Sequence, residues 1–353
     1  MPRRSLTRRV TVRDVAALAG VSQPTVSLVL GNHPRARVAA ETRERVVRAA
    51  EELGYRPNVI ARGLARRRSY ALGLIVPDLR NPFYTDVVAG AERVVAQEGY
   101  AVLLCDASEV TPHRHLETLR ERQVDGVILD AVGAAALGDA ALEGLNVVLV
   151  DEPSERWPGV ASDAPGAGRM AAEHLIGLGH RRLAYMGPAV DAWGFRMRER
   201  GFVQAMRAAG LDLDSDRLRR APATVAGGIA AMRALLVLSA RPTAVFCGND
   251  LMAVGALKAC AAAGVSVPGD MSVIGCDDIE LATLVTPELT TVAVPARELG
   301  ARAARMLVRR LAGDAPDGRG AAAPARPLPV KLVTRGTTAA PTAPAAPTTR
   351  AEG

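Results

Sequence analysis

Seven strand-length apolar runs constrain this chain more than anything else in it. LGLIVPD, YAVLLCD, DGVILD, NVVLVD, RRLAYMG, TAVFCGND and MSVIGCDD fall between residues 72 and 278, and most end in Asp, Gly or Pro. Helical patterns separate many of them, at 84–98, 111–123, 166–178, 193–209, 227–238 and 251–263. Apolar runs bounded by turn residues read as strands buried on both faces. Their alternation with helices makes a parallel sheet with helices on both sides. Such sheets bind ligands outside the carboxyl ends of their strands, where these Asp and Asn residues stand. PVKLVTRGTT reads as a last strand, residues 313 to 328 as an Ala/Pro/Gly-rich loop, and no internal repeat is found.

The 353 residues suggest two or three domains, and 49% of them are apolar, enough for a sizeable core. Aromatics are only 3%, so that core is expected to be mostly Ala, Val and Leu. Charge is unevenly placed. Residues 1 to 68 hold fifteen Arg and five acids, whereas the other 285 carry a slight negative excess. A basic segment on a near-neutral body points to a polyanion partner for that segment alone. Cys105, Cys247, Cys260 and Cys276 form no CxxC pair, which fits buried free thiols in a reducing compartment. No secretory signal pattern and no membrane-length apolar stretch is read, so the chain is expected in the cytoplasm.

The basic segment also has helical periodicity. Val12, Val15, Ala16 and Ala19 share one helical face, and Gly20 is placed to end that helix as a left-handed cap. Ser22 is a good N-cap for a second helix, Pro24 is tolerated in its first turn, and Val26, Val29 and Leu30 form its inward stripe. A third helix is expected from about Glu41 to Leu53, with Val46, Val47, Ala50 and Leu53 inward and Gly54 ending it. Two helices joined by a tight turn, with small polar residues heading the second, fit a helix-turn-helix that enters the major groove. Gln23 has the amide geometry to pair with adenine, and Thr25 and Ser27 suit a base or a phosphate. An ordinary helical hairpin would show the same periodicity; the surrounding arginines decide against it. After Tyr55-Arg56-Pro57, the basic stretch NVIARGLARRR carries one large apolar residue, Leu64.

TVRDVAALAGVSQPTVSLVL, followed by ETRERVVRAAEELGYRPNVIARGLA, resembles the DNA-binding headpiece and hinge of the LacI family of bacterial transcriptional regulators. The resemblance continues through NPFY, HLIGLGHRR, GND and VIGCDDIELATLVTPELTTV, and covers roughly residues 10 to 338. It implies a basic arm at 1–9, a helix-turn-helix headpiece at 10–56 and a hinge helix at 57–68. An effector-binding and dimerisation domain at 69–338 would have two parallel-sheet subdomains, as in periplasmic binding proteins. Residues 339–353, rich in Ala, Pro and Thr, are expected to be a disordered tail. The implied partners are near-palindromic operator DNA, a sugar, nucleoside or related effector, and further copies of the chain in a homodimer or tetramer.

Carried over position by position, Gln23, Pro24 and Leu28 take the base-reading places. Thr11, Ser22, Thr25, Ser27, Tyr55 and Asn58 take phosphate places. Ala61, Arg62 and Leu64 belong to the hinge, where Leu64 takes the place of a minor-groove wedge, a use that suits an apolar side chain among cations. Three residues depart from the family pattern. Leu28 stands where Arg or another polar residue is common, and Pro24 offers no side-chain donor. Gly63 replaces the more usual Ser, and glycine costs a helix about 1 kcal/mol.

In the larger domain the resemblance places Phe83, Tyr84, Arg198, Asn249 and Asp277 in the effector cleft, with Asp163 and Asp250 as further candidates. Arg with carboxylates and amides suits a polyhydroxylated or anionic ligand. Trp193 and Phe195 would add a stacking face, Trp157 lies at the periphery, and Asp278 also fits a strand-end turn. Catalysis finds little support. His33, His113, His115, His174 and His180 form no motif with a base or metal role, and no HExxH, GxSxG or P-loop occurs. GAG at 166–168 is not GxGxxG, and neither a cofactor nor a metal is implied. Two rival readings are a solute-binding protein with a basic extension and a sugar- or nucleoside-processing enzyme; the complete headpiece argues against both.

Overall fold

The computed structural model describes residues 10–31, 38–55, 68–313 and 326–342. It divides into two compact units, with the break after Tyr70. The hinge candidates Asn58, Ala61, Arg62 and Leu64 lie outside the described residues, as does His33.

The first unit is a bundle of α1 (Val12–Ala19), α2 (Gln23–Leu30) and α3 (Ala40–Glu52). Asp14 accepts from both the backbone N–H and the hydroxyl of Thr11, at 2.9 and 2.7 Å, and so fixes the start of α1. Gly20, at φ 64°, ends it, with Gly20 N–H bonded to Ala17 O and Val21 N–H to Ala16 O. Ser22 caps α2, and Gly54, at φ 61°, follows α3. Val15, Val26 and Val46 are fully buried at the centre, ringed by Ala16, Ala19, Val29, Ala49 and Ala50. One inward assignment needs correction: Val47 is 37% exposed and Ala49 takes the core place. Residue 47 sits about 100° round the helix from Val46, off the axis that Val46, Ala49 and Ala50 share.

The second unit contains two sheets. The first is built from β1 (Ala71–Val76), α4 (Pro82–Gln97), β2 (Ala101–Asp106), α5 (Pro112–Glu121), β3 (Gly126–Asp130), α6 (Ala131–Leu137), β4 (Val147–Val150) and β5 (Gly159–Val160). Its strands are all parallel, in the order β2-β1-β3-β4-β5. The second is built from α7 (Ala164–Gly177), β6 (Leu183–Pro188), α8 (Trp193–Ala208), β7 (Leu218–Ala221), α9 (Val225–Leu236), β8 (Ala244–Cys247), α10 (Asp250–Ala262), β9 (Ser272–Asp277) and β10 (Thr290–Ala293). α11 (Ala296–Ala312) follows, then β11 (Lys331–Val333), which joins the second sheet antiparallel at its edge. The order there is β11-β10-β9-β8-β6-β7. The chain passes from the first sheet to the second after β5, returns after β10 so that α11 packs on α4, and rejoins the second sheet for β11. Several chain crossings thus tie the two sheets together.

The core is Val, Leu and Ala, with one aromatic cluster of Tyr185, Phe202 and Phe246 whose ring centroids lie 5.3–5.9 Å apart. α7 and α8 cross at glycines. A Cβ on Gly168 would collide with the Arg198 carbonyl, and one on Gly201 with that of Pro165. This close crossing fixes where Arg198 leaves its helix. Residues 339–342 differ from the expected disorder. The Ala339 carbonyl accepts from His180 Nε2 at 2.9 Å, Ala339 N–H reaches Ser272 Oγ at 3.1 Å, and Thr342 Oγ1 donates to Gly269 O. Two of these three bonds use the backbone of Ala339, whose plain side chain gives no signal in the sequence. The expected loop at 313–328 also ends in order: Leu328 is buried and forms a bridge to Ser162.

Candidate functional site

α2 presents two distinct faces. Val26 and Val29 point into the bundle, with Thr25 and Leu30 at its margin, whereas Ser22, Gln23, Pro24, Ser27 and Leu28 are exposed. Leu28, 39% exposed, has no packing reason to be leucine. Ser22 Oγ lies 2.9 Å from Thr25 Oγ1 and accepts weakly from Thr25 N–H, which orders the head of the helix. Thr11 is exposed at the start of α1, and Tyr55 is half-buried against the bundle. The three proposed base readers therefore share one exposed face, and nothing in the bundle's core depends on them.

In the second unit, one cleft gathers residues from the carboxyl ends of both sheets. From the first come Asn81, Phe83, Tyr84, Asp130, Val132 and Asp151; from the second, Ala192, Gly194, Phe195, Arg198 and Asp277. Each position has a local cause. Asn81 Oδ1 accepts from Phe83 N–H at 3.1 Å and starts α4, so Phe83 and Tyr84 fall on its first turn. Their rings meet edge to face, with centroids 5.3 Å apart. Asp130 Oδ1 accepts from Val132 N–H and starts α6. Asp151, Asp277 and Asp278 have positive φ values of 55°, 124° and 59°. Such backbone costs a non-glycine residue about 1–3 kcal/mol and gathers at functional sites.

Arg198 is 2% exposed and organises the cleft. Its Nη1 donates to Gly248 O at 2.8 Å and lies 3.3 Å from Asp277 Oδ1, while Nη2 lies 3.9 Å from Asp151 Oδ2. Its guanidinium sits 5.3 Å from the centre of the Phe195 ring. Asp151 is held in turn by Ser162, whose N–H and hydroxyl donate to Oδ1 at 3.0 and 2.7 Å. Burial, with Asp250 and Asp151 nearby, pushes the Asp277 carboxyl up to about 8 against the pull of Arg198. Burial, with Asp130, Asp277 and Asp151 nearby, also raises the Tyr84 phenol and keeps it a hydrogen-bond donor. Two buried polar atoms here, Arg198 Nε and Asp277 Oδ1, have no hydrogen-bond partner. The side chains nearly fill the cleft, leaving about 20 Å³. That is room for about one water.

Phe83, Tyr84, Arg198 and Asp277 thus come together as expected, and Phe195 joins them. Asn249, Asp250 and Asp163 do not line this cleft. Asn249 caps α10, accepting from Met252 N–H at 2.9 Å and donating to Ala223 O. Asp250 is fully buried, with Thr291 Oγ1 and Ile279 N–H on its two oxygens. Asp163 caps α7 through Gly166 N–H and faces a separate groove between α7 and α8. Asp278 pairs with Arg335 at 2.7 Å. Trp193 N–H reaches Glu152 Oε2, and Trp157 packs on the first sheet's core, with Nε1 on Asp139. Asp130 and Asp151 were missed. The signal was present, since DGVILD and NVVLVD end in Asp as MSVIGCDD does. Among the described residues, no cluster of His, Cys, Asp and Glu is arranged to hold a metal, and no helix is long and apolar enough to cross a membrane.

An exposed polar face on a helix-turn-helix, in one chain with a two-sheet domain that carries a polar cleft, defines a ligand-responsive transcription regulator. Comparison with known proteins agrees. Residues 11–58 match bacterial regulatory proteins of the lacI family, and residues 172–338 match the periplasmic binding protein-like domain. The ribose operon repressor of Escherichia coli (strain K12) is 37% identical over 309 residues, covering 85% of this chain and 93% of that protein. The structure of the lac repressor dimer bound to operator and the anti-inducer ONPF superposes with a TM-score of 0.80 at 29% identity, covering 94% of this chain and all of that one. The complex of the transcriptional regulator CelR with cellobiose gives 0.70 at 33% identity, covering 93% of this chain and all of that one. The chain belongs to the lacI family of bacterial regulatory proteins.

Proposed function

We propose that this chain is a cytoplasmic, non-enzymatic repressor. It binds a near-palindromic operator as a homodimer and is controlled by a sugar held between the two sheets of its larger domain. One observation carries the effector reading: the buried Arg198 Nε and Asp277 Oδ1 are left without hydrogen-bond partners at one cleft, beside Phe83 and Tyr84. A ligand rich in hydroxyls satisfies both atoms at once, because a hydroxyl accepts from one and donates to the other. The ribose and cellobiose named for the relatives support a sugar. Phe83, Tyr84, Arg198 and Asp277 make the contacts, joined by Asp130 and Asp151. Asn249, Asp250 and Asp163 act one step away, by holding the starts of α10 and α7 and the end of β9. Operator titration with and without a panel of sugars tests the reading; an operator affinity that no sugar alters overturns it.

Gln23, Pro24 and Leu28 read bases, while Thr11, Ser22, Thr25, Ser27 and Tyr55 hold phosphates, with Asn58. The hinge residues Ala61, Arg62 and Leu64 serve the minor groove. Leu28→Arg is expected to change base preference rather than abolish binding, because it adds a bidentate guanine donor worth about 1–3 kcal/mol of discrimination. Selection from a random DNA pool checks this. The same preferred site for both proteins would mean that residue 28 does not face the bases.

The homodimer needs an apolar surface. β2 forms an edge of the first sheet and leaves Leu104 42% exposed on it, an arrangement that invites pairing unless it is covered. A second copy is the proposed cover, in keeping with the dimer in the lac repressor structure. Leu104→Glu is expected to move the sedimenting species toward the monomer mass and to weaken operator binding. An unchanged dimer mass places the interface elsewhere.

A further inference from the structure

The cleft has an uneven charge. Three carboxylates line it, Asp130, Asp151 and Asp277, each no more than 7% exposed. Arg198 is the one cation among the described lining residues. Its charge is already committed, because Nη1 rests on Gly248 O and beside Asp277, Nη2 faces Asp151, and the plane meets Phe195. Nε has no hydrogen-bond partner, and Nη2 lies beyond hydrogen-bond reach of the Asp151 carboxylate it faces. An arginine that anchors a phosphate needs its two-pronged face clear of other carboxyl groups, and here Asp151 and Asp277 flank it.

The helix that could replace it is occupied as well. α8 starts at the cleft, and the N-terminus of a helix of this length attracts anions. No side chain caps it from within its own first turn. Instead Glu152 accepts from Trp193 N–H at 3.3 Å. Asp151 packs so closely on Gly194 that a Cβ there would lie 2.7 Å from Oδ2. The protein thus presents its own acidic side chains to the start of α8 and to Arg198, groups that a phosphate or carboxylate would seek. α4 and α6, the other helices beginning at the cleft, start with Asn81 and Asp130, whose side chains already accept from their first turns.

We propose that this charge arrangement restricts the effector to uncharged polyols: free sugars enter, and their phosphate esters and acids are rejected. The inference rests on the sugar reading of the cleft and narrows it. Hydroxyls donate to Asp130, Asp151 and Asp277 and accept from Arg198 Nε and the Tyr84 phenol, so Arg198 Nε and Asp277 Oδ1 gain the hydrogen bonds they lack. A phosphate oxygen only accepts. It meets Asp130 and Asp151 in a medium of low dielectric, with the Asp277 carboxyl beside them, and finds no second cation among the described lining residues. Asp130 is the discriminating residue best suited to mutation, because asparagine caps a helix as well as aspartate does. Asp130→Asn therefore removes a charge without removing the start of α6.

The test uses the full chain and matched pairs: ribose and ribose 5-phosphate, glucose and glucose 6-phosphate, glucose and gluconate. Calorimetry gives affinities, and thermal unfolding gives an independent readout. A free sugar is expected to bind about 100-fold or more tightly than its charged partner, the scale that like-charge juxtaposition commands. In Asp130→Asn the ratio is expected to narrow by about tenfold, with unchanged unfolding of the ligand-free protein. A charged member that binds as tightly as its neutral partner overturns the inference while leaving the sugar reading in place. Binding by neither member of any pair defeats the sugar reading and this inference together. A full ratio retained in Asp130→Asn removes Asp130 from the discrimination and leaves Asp151, tested as Asp151→Asn, to carry it. Retention in both variants overturns the electrostatic cause.

Discussion

Raising the salt from about 50 to about 200 mM is expected to weaken operator binding by about 10³–10⁵-fold. The cause is counterion release: each phosphate neutralised by a cation frees condensed ions, and added salt opposes their release. Residues 1 to 68 supply fifteen arginines against five acids, and a dimer doubles that excess. Thr11, Ser22 and Ser27 are exposed, and with the start of α2 they are expected to give the backbone contacts their register. The measurement is anisotropy of a labelled operator across a potassium chloride series. A log–log slope of about −6 or steeper is expected, because six or more phosphates are engaged. A slope shallower than about −2 would mean that only a couple of phosphates are neutralised, and the basic segment would need another partner.

The features legible in the sequence were those set by local chemistry. Gly20, Ser22 and Gly54 marked helix ends because caps depend on a residue and its immediate neighbours. The seven apolar runs became seven strands; in all but the edge strand β2, burial on both faces demands continuous hydrophobicity. Other elements carried no such mark. β7 reads LRRA, and its arginines conceal a strand at the sheet edge. β10 begins with Thr290 and Thr291, fully buried because Asp250, Thr337 and Thr338 satisfy their hydrogen bonds. α11 interleaves five arginines with its buried Ala and Leu positions. The cleft was legible only in part. Arg198 and Asp277 were placed by resemblance, but a capping Asn249 and an internally bonded Asp250 look the same in sequence as ligand contacts do. What separates them is where two strands end relative to each other, which only the fold decides.

Asp277→Asn is expected to leave operator affinity in the absence of effector nearly unchanged and to abolish the effect of the sugar on it. A ligand changes DNA affinity only by binding the DNA-competent and incompetent states unequally, and DNA must then alter sugar affinity by the same factor. The geometry supplies the unequal states. Arg198, on the second sheet's side, reaches Asp151 on the first, so a ligand that takes its contacts alters how the two halves are tied. A cleft with about 20 Å³ of free space must open to admit a sugar. Pockets that hold such ligands measure about 300 Å³ or more. Arg198→Ala is expected to lose the response too, but with a drop of about 3–5 kcal/mol in stability, since it leaves Asp151 buried with no counter-charge. Asp277→Asn avoids that ambiguity. It keeps the shape, relieves crowding among carboxylates, and removes an acceptor that the sugar hydroxyls require. The measurement is operator titration with and without the bound sugar on wild type and both variants, with thermal unfolding alongside. A sugar that still shifts operator affinity fully in Asp277→Asn places the pocket elsewhere. Loss of operator binding in a variant that unfolds normally without sugar would show that Asp277 sets the DNA-competent state itself, independently of any ligand contact.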